Sequence, residues 1–218
     1  MPENHPKMPL ITFEGSEACG KSTQVQRLAS RLKENGASIL VVREPGGTAI
    51  GESIRHLLQH AEESRKMTPE TELLLFAASR AQLVREKIRP ALARGEFVIC
   101  DRFFDSTTVY QGAARALDLD LVRKLNEFAA DDCIPDITFL LKLDRRTARQ
   151  RSANRKVHDR MEQLPEEFHE RVIAAYSELA LRQPERIVVI NGRLSAGEIA
   201  EQTWQTVNLR LAANQKST

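Results

Sequence analysis

Apolar residues gather in five runs of strand length: PLITFE at 9–14, SILVVR at 38–43, EFVICD at 96–101, DITFLLKL at 136–143 and RIVVIN at 186–191. Each gives way to a polar stretch or to one of helical period. Near-continuous Val/Ile/Leu runs belong to strands buried on both faces. Their alternation with helices predicts an α/β fold, a three-layer α/β/α sandwich with a five-stranded parallel sheet. Helices are predicted from Lys21 to Asn35 with Gly36 as the stop and from Pro69 to Arg94 with Gly95 as the stop, and further helices over 165–182 and 195–212. No repeat, low-complexity tract or Pro/Gly-rich linker divides the chain, so a single domain over 1–218 is expected, with NQKST fraying at its end.

Composition narrows the class without naming a chemistry. The 218 residues, 41% of them apolar, suffice for one large core. Lys plus Arg number 32 against 30 Asp plus Glu, and a net charge of +2 argues against a nucleic-acid or membrane partner; electrostatic work must be local. No stretch approaches the roughly 18 apolar residues of a membrane span. MPENHPK lacks the apolar core of a signal peptide, so a cytoplasmic location is expected. Cys19, Cys100 and Cys133 form no disulfide or zinc pattern; Cys100 and Cys133 read as small buried hydrophobes.

The stretch GSEACGKST, residues 15–23, changes the picture. Gly15, Gly20, Lys21 and Ser22 match G-x-x-x-x-G-K-[ST] between a predicted buried strand and a predicted helix, the context the motif needs. Glycines let the backbone curl so that N–H groups point inward, and the helix N-terminus adds partial positive charge for phosphate oxygens. Gly15, Ser16, Glu17, Ala18, Cys19, Gly20, Lys21, Ser22 and Thr23 are therefore candidate ATP contacts. Lys21 would reach the β and γ phosphates and Ser22 would ligate Mg²⁺.

Four further motifs follow in order: REPGGT at 43–48, LLFAASRAQ at 74–82, DRFFDSTTVYQGAAR at 101–115 and DRME at 159–162. With the phosphate loop, this set resembles bacterial thymidylate kinase over about residues 8–192. The resemblance implies transfer of a phosphoryl group from Mg-ATP to dTMP, in a homodimer. It sets Glu44, Pro45 and Arg55 beside the acceptor nucleotide. Phe76 and Arg80 share a helix face, and a ring with a planar donor fork suits a pyrimidine. By resemblance, Phe76 stacks on thymine and Arg80 bonds its edge; without it, Phe76 among Leu73, Leu74 and Leu75 reads as core.

Asp101 and Arg102 end a buried strand at the edge where such sheets bind ligands. By resemblance they are catalytic: Asp101 orients Mg²⁺-bound water and the attacking phosphate, and Arg102 offsets charge between acceptor and donor. Tyr110 resembles the residue that crowds the ribose 2′ side and Gln111 the one that bonds the base, while Asp105 and Ser106 shape that loop, with Arg115 beyond it.

The most basic stretch, RRTARQRSANRKVHDRME at 145–162, sets Arg151 and Arg155 one helical turn apart, with Asp159 and Glu162 on the same side if the helix continues. It lacks interleaved aromatics, which disfavours nucleic acid. The resemblance implies a small Arg-rich lid over ATP. One subgroup of the family carries a catalytic arginine in the phosphate loop; another has an acidic residue there and an arginine in the lid. Glu17 places this chain with the second, making Arg151 or Arg155 the arginine finger, with Arg151 preferred.

Other patterns carry less. His56 and His60 lack a third metal ligand and read as surface helix residues, and Asp118 with Asp120 reads as a helix start. Ala18 stands where relatives have glycine, which matters if that position needs φ > 0. Cys19 matches a small residue in size. A thiol beside inward N–H groups and Lys21 is also where a thiolate is stabilised, so sensitivity to thiol reagents, with protection by ATP, is expected. Two rival functions stay open: a kinase for another nucleoside monophosphate, since only Phe76, Arg80, Tyr110 and Gln111 argue for thymine, and a non-catalytic P-loop nucleotide-binding module.

Overall fold

The computed structural model describes residues 8–153 and 159–215. Its strands are β1 (Leu10–Glu14), β2 (Ile39–Arg43), β3 (Phe97–Asp101), β4 (Ile137–Lys142) and β5 (Ile187–Asn191). All pairings are parallel, in the order β2-β3-β1-β4-β5, so β1 is central, with Ile11 opposite Ile99 on one side and Ile137 on the other. The strand order reverses beside β1, and the crevice beyond the strand C-termini at such a point is where open α/β sheets bind ligands.

The apolar runs resolve into two faces because side chains alternate along a strand. Ile11, Phe13, Phe139 and Leu141 pack under α1 (Lys21–Glu34) and α9 (Ala196–Gln215) with Val25, Leu28, Ile199 and Val207. Leu10, Val98 and Cys100 face the other way, against Leu83, Val84, Ile88 and Ala91. Each fully buried side chain of this size contributes about 1.5–3 kcal/mol. Burial on both faces holds for β1, β3 and β4, whereas the edge strands β2 and β5 are partly open; Val189 is 49% exposed.

The predicted helix over 69–94 is helical throughout 69–93, but in three parts: α3 (Pro69–Leu83), a π turn (Val84–Ile88) and α4 (Arg89–Ala93). Pro90 has no N–H for the carbonyl of Glu86, and the widened turn lies just ahead of it. The segment read as a loop around Asp105 and Ser106 is instead helical, α5 (Phe104–Thr107) running into a π segment (Thr108–Ala114). Asp105 is buried there, paired with Arg186 at 2.7 Å.

Among the described residues the remaining α-helices are α2 (Ala49–Gln59), α6 (Leu119–Ala130), α7 (Arg145–Ser152) and α8 (Glu166–Arg182), with a short 3-10 helix at Glu62–Lys66. Asp118 caps α6, accepting from the amides of Asp120 and Leu121. His56 and His60 are exposed at the end of α2, and Cys100 and Cys133 are buried. The basic helix does not run on to Asp159. That carboxylate accepts the Glu162 N–H at 2.9 Å, closing a turn with a side chain in place of a helical bond.

Candidate active site

The phosphate loop joins β1 to α1 at the centre of the sheet. Gly15 adopts φ +136°, and a Cβ there would lie 2.6 Å from the Leu141 carbonyl oxygen, so the first glycine is required by space as well as by conformation. Lys21 folds back over the loop, Nζ donating to the carbonyls of Gly15 (3.1 Å) and Ser16 (2.8 Å). Ser22 Oγ donates to Asp101 Oδ2 at 2.5 Å, bringing the end of β3 to the start of α1.

Two loop residues answer questions the sequence raised. Ala18 does adopt φ +57°, a left-handed conformation that disfavours any Cβ. Ala18→Gly is expected to raise Tm by about 1–4 °C, the strain relieved exceeding the added freedom of the unfolded chain; a lowered melting curve would refute it. Cys19 is 1% exposed and packs in the core beneath α1, so the expected attack by thiol reagents is corrected: the folded chain offers them no access to this thiol.

Beyond the loop opens a cleft of about 280 Å³. Of the site residues named from the sequence, Glu17, Ala18, Gly20, Lys21, Ser22 and Thr23 line one end. Glu44, Pro45, Arg55, Phe76, Arg80, Asp101, Arg102, Ser106, Tyr110 and Gln111 line the rest of it. Gly15, Ser16, Cys19 and Arg151 do not line it, and Arg155 lies outside the described residues. Arg151 Nη1 instead donates to the Gly192 carbonyl at 2.9 Å, after β5.

Where the end of β2 meets α3, Arg80 and Glu44 form a buried pair, 2.6 Å apart and 1% and 4% exposed at their side chains. Glu44, Asn126 and Thr107 take all but one of the Arg80 N–H groups, leaving Nη1 a single hydrogen beyond its bond to Asn126. Burial pushes the Glu44 carboxyl up to about 7, with Arg80 pulling against it. A carboxyl that binds its proton more tightly folded than unfolded contributes stability present below its unfolded value of 4.5 and lost as pH rises through about 7. The excess of the parental Tm over that of Glu44→Gln is therefore expected to fall from about pH 5 to pH 8. Thermal melts across that range check it, and a difference independent of pH would refute it.

A second carboxylate was missed. Glu72, 1% exposed, accepts from Gln111 Nε2 at 2.8 Å and Arg115 Nη2 at 3.0 Å, and pairs with Arg160. Burial opposes its ionisation, but Arg115, Gln111 and Arg160 outweigh it and hold the carboxyl below its usual range. The signal was present: Glu72, Phe76 and Arg80 are spaced by four on one face of α3, and Arg160 sits in the DRME motif. Glu72 fixes the amide of Gln111 and so leaves its carbonyl oxygen as the free end.

Asp101 and Arg102 are adjacent in sequence but part company in space. Asp101 turns to Ser22, whereas Arg102, at φ +70°, reaches Gly15 O and Ser106 Oγ at 3.1 Å and Glu17 Oε1, Tyr110 and Tyr176 at 3.4 Å. A non-glycine residue in that conformation is held there by its surroundings. Glu14 supplies them, accepting from Phe103 N, Ser106 Oγ and Tyr176 OH, each at 2.7 Å. Tyr110 OH donates to Glu17 Oε1 at 2.6 Å. Burial opposes ionisation of Glu17, yet Arg102, Lys21 and the Tyr110 hydrogen bond outweigh it and hold the carboxyl down.

One cleft thus joins a phosphate loop to a pocket walled by an aromatic ring, an arginine and a fixed amide. The family model for thymidylate kinase matches residues 13–203. A thymidylate kinase of Syntrophotalea carbinolica is 44% identical over 91% of this chain and 94% of its own length. That of Thermomicrobium roseum is 48% identical over 90% and 93%. The crystal structure of thymidylate kinase from Ehrlichia chaffeensis superposes with a TM-score of 0.75 at 33% identity, covering 93% of this chain and 99% of that one.

Proposed function

Since the chain belongs to the thymidylate kinase family and catalyses ATP-dependent phosphorylation of dTMP to dTDP, we propose how its cleft divides the work. The continuity of the cleft from Lys21 to Phe76 carries the reading, because donor phosphates and acceptor base are then held in one line. The phosphate loop, residues 15–23, cradles ATP, with Lys21 on the β and γ phosphates. Phe76 stacks on the thymine, and Arg80 and Gln111 bond its edge through the Nη1 hydrogen and the carbonyl left to them. Tyr110 bounds the sugar, and Glu44, Pro45 and Arg55 flank the acceptor near its phosphate.

The Ser22 hydroxyl and the Asp101 carboxylate meet at the floor of the cleft, a hard oxygen pair that fits Mg²⁺. They would hold it, and bound with ATP it neutralises phosphate charge. The acceptor phosphate already carries its nucleophilic oxygen, so Asp101 orients and removes no proton. Arg102 lies between the loop and the acceptor wall and offsets charge building between the two phosphates.

With Glu17 in the loop, the arginine finger comes from a lid within about 145–162, as Arg151 or Arg155; Arg151 must release Gly192 to act. We also assign a homodimer through α3 and α6, whose Leu74 and Phe128 are 56% and 73% exposed. Three free cysteines suit a reducing cytoplasm. The near-neutral charge disfavours nucleic-acid and membrane partners, and among the described residues no helix is long and apolar enough to cross a membrane.

ADP release with Mg-ATP and a panel of nucleoside monophosphates tests the acceptor assignment. Release is expected with dTMP, and preference for another base would overturn the roles of Phe76, Arg80 and Gln111. Replacing the acting lid arginine by alanine lowers kcat by about 10³-fold or more; near-parental turnover in both Arg151→Ala and Arg155→Ala would remove the finger from the lid.

A further inference from the structure

We infer that His169 is a positioning residue for the phosphate loop, holding the second oxygen of Glu17 so that this carboxylate is fixed from both sides during turnover. His169 lies in the first turn of α8, 2% exposed, and among the described residues neither ring nitrogen has a hydrogen-bond partner. Glu17 Oε1 is taken by Tyr110 and Arg102, whereas its Oε2 is buried and likewise without a hydrogen bond. His169 Nδ1 lies 3.7 Å from that oxygen, about half an ångström beyond hydrogen-bond range.

Buried polar atoms without partners are rare because each forfeits its solvation, yet three gather here. They border a second cavity of about 310 Å³, lined as well by Arg145, Arg149 and Ser152 of α7. Arg145 is spent on Glu166 at 2.7 Å. Phe168 meets the imidazole edge-on, at 87° and 5.9 Å between ring centroids, and limits how the ring turns.

The chemistry gives this contact a purpose. Glu17 carries negative charge inside a loop that must receive phosphates. Held by Tyr110 and Arg102 at one oxygen and by the imidazole N–H at the other, it stays turned toward α8, and the loop N–H groups remain available to the donor. The inference rests on the assignment of Glu17 to the phosphate cradle, which Glu17→Ala tests by itself through kcat.

His169→Phe keeps the bulk and removes the donor, and is expected to lower kcat about tenfold, the scale of one charge-assisted hydrogen bond. KM for dTMP stays within about twofold, since the acceptor pocket is untouched. His169→Asn sets an amide N–H near the place of Nδ1 and recovers most of the loss. In the Glu17→Ala background, His169→Phe costs nothing more, because the partner is gone. Parental kcat in His169→Phe, equal impairment of the Phe and Asn variants, or an undiminished loss in the Glu17→Ala background would each overturn the inference. If Glu17→Ala alone leaves kcat unchanged, the cradle assignment fails with it.

Discussion

Lys21→Ala lowers kcat by about 10²–10³-fold, the loss that follows removal of one preorganised group aimed at developing charge. Lys21 is 8% exposed and its ammonium donates to the carbonyls of Gly15 and Ser16 and to Cys19 Sγ at 3.6 Å; among the described residues no carboxylate pairs with it. It is a cation stored at the loop, free to turn onto phosphate oxygens at little cost. Those hydrogen bonds are what the fold loses, about 1 kcal/mol. Rates of ADP release alongside thermal melts therefore separate the effects, with kcat collapsing while Tm moves by a few degrees. A kcat within a few-fold of the parent would show that the loop binds phosphate without its lysine.

Arg80→Met is the largest expected loss of stability, about 3–5 kcal/mol, because it strands the Glu44 carboxylate in the interior. For a chain of this size that is a fall of about 6–20 °C in Tm. Glu44 escapes part of the cost by taking up a proton, so the fall is smaller near pH 6 than near pH 8. Adding Glu44→Gln to Arg80→Met removes the stranded charge and recovers part of the loss, as a double-mutant cycle would measure. Additive effects in that cycle would mean that the pair is not coupled. Loss of Arg80 also raises KM for dTMP, since the same side chain walls the acceptor pocket.

Much of the candidate site was legible because its markers are local. A strand, a turn of glycines and a helix start can be read within about fifteen residues, and PLITFE followed by GSEACGKST is all three together. The face shared by Phe76 and Arg80 follows from helical spacing alone. Local rules fail where a segment's conformation is set by what it packs against. The helical segment 104–114 has no capping signal of its own, and is held instead by Glu14, which takes Phe103 N and Ser106 Oγ.

The sequence by itself determined the parallel sheet, the place of the phosphate loop between its first strand and the helix that follows, and the helix face that Phe76 and Arg80 share. Those follow from side-chain period, backbone freedom at Gly15 and the family pattern. Only the tertiary structure decided which charges pair. Glu44 goes to Arg80 across 36 residues, Tyr176 to Glu14 across 162, and Glu17 to Tyr110 across 93. Asp101 and Arg102 share a motif yet serve different partners. A buried charge must find its counter-charge wherever the crossovers of the chain bring one near, and neighbours along the chain do not specify that distance.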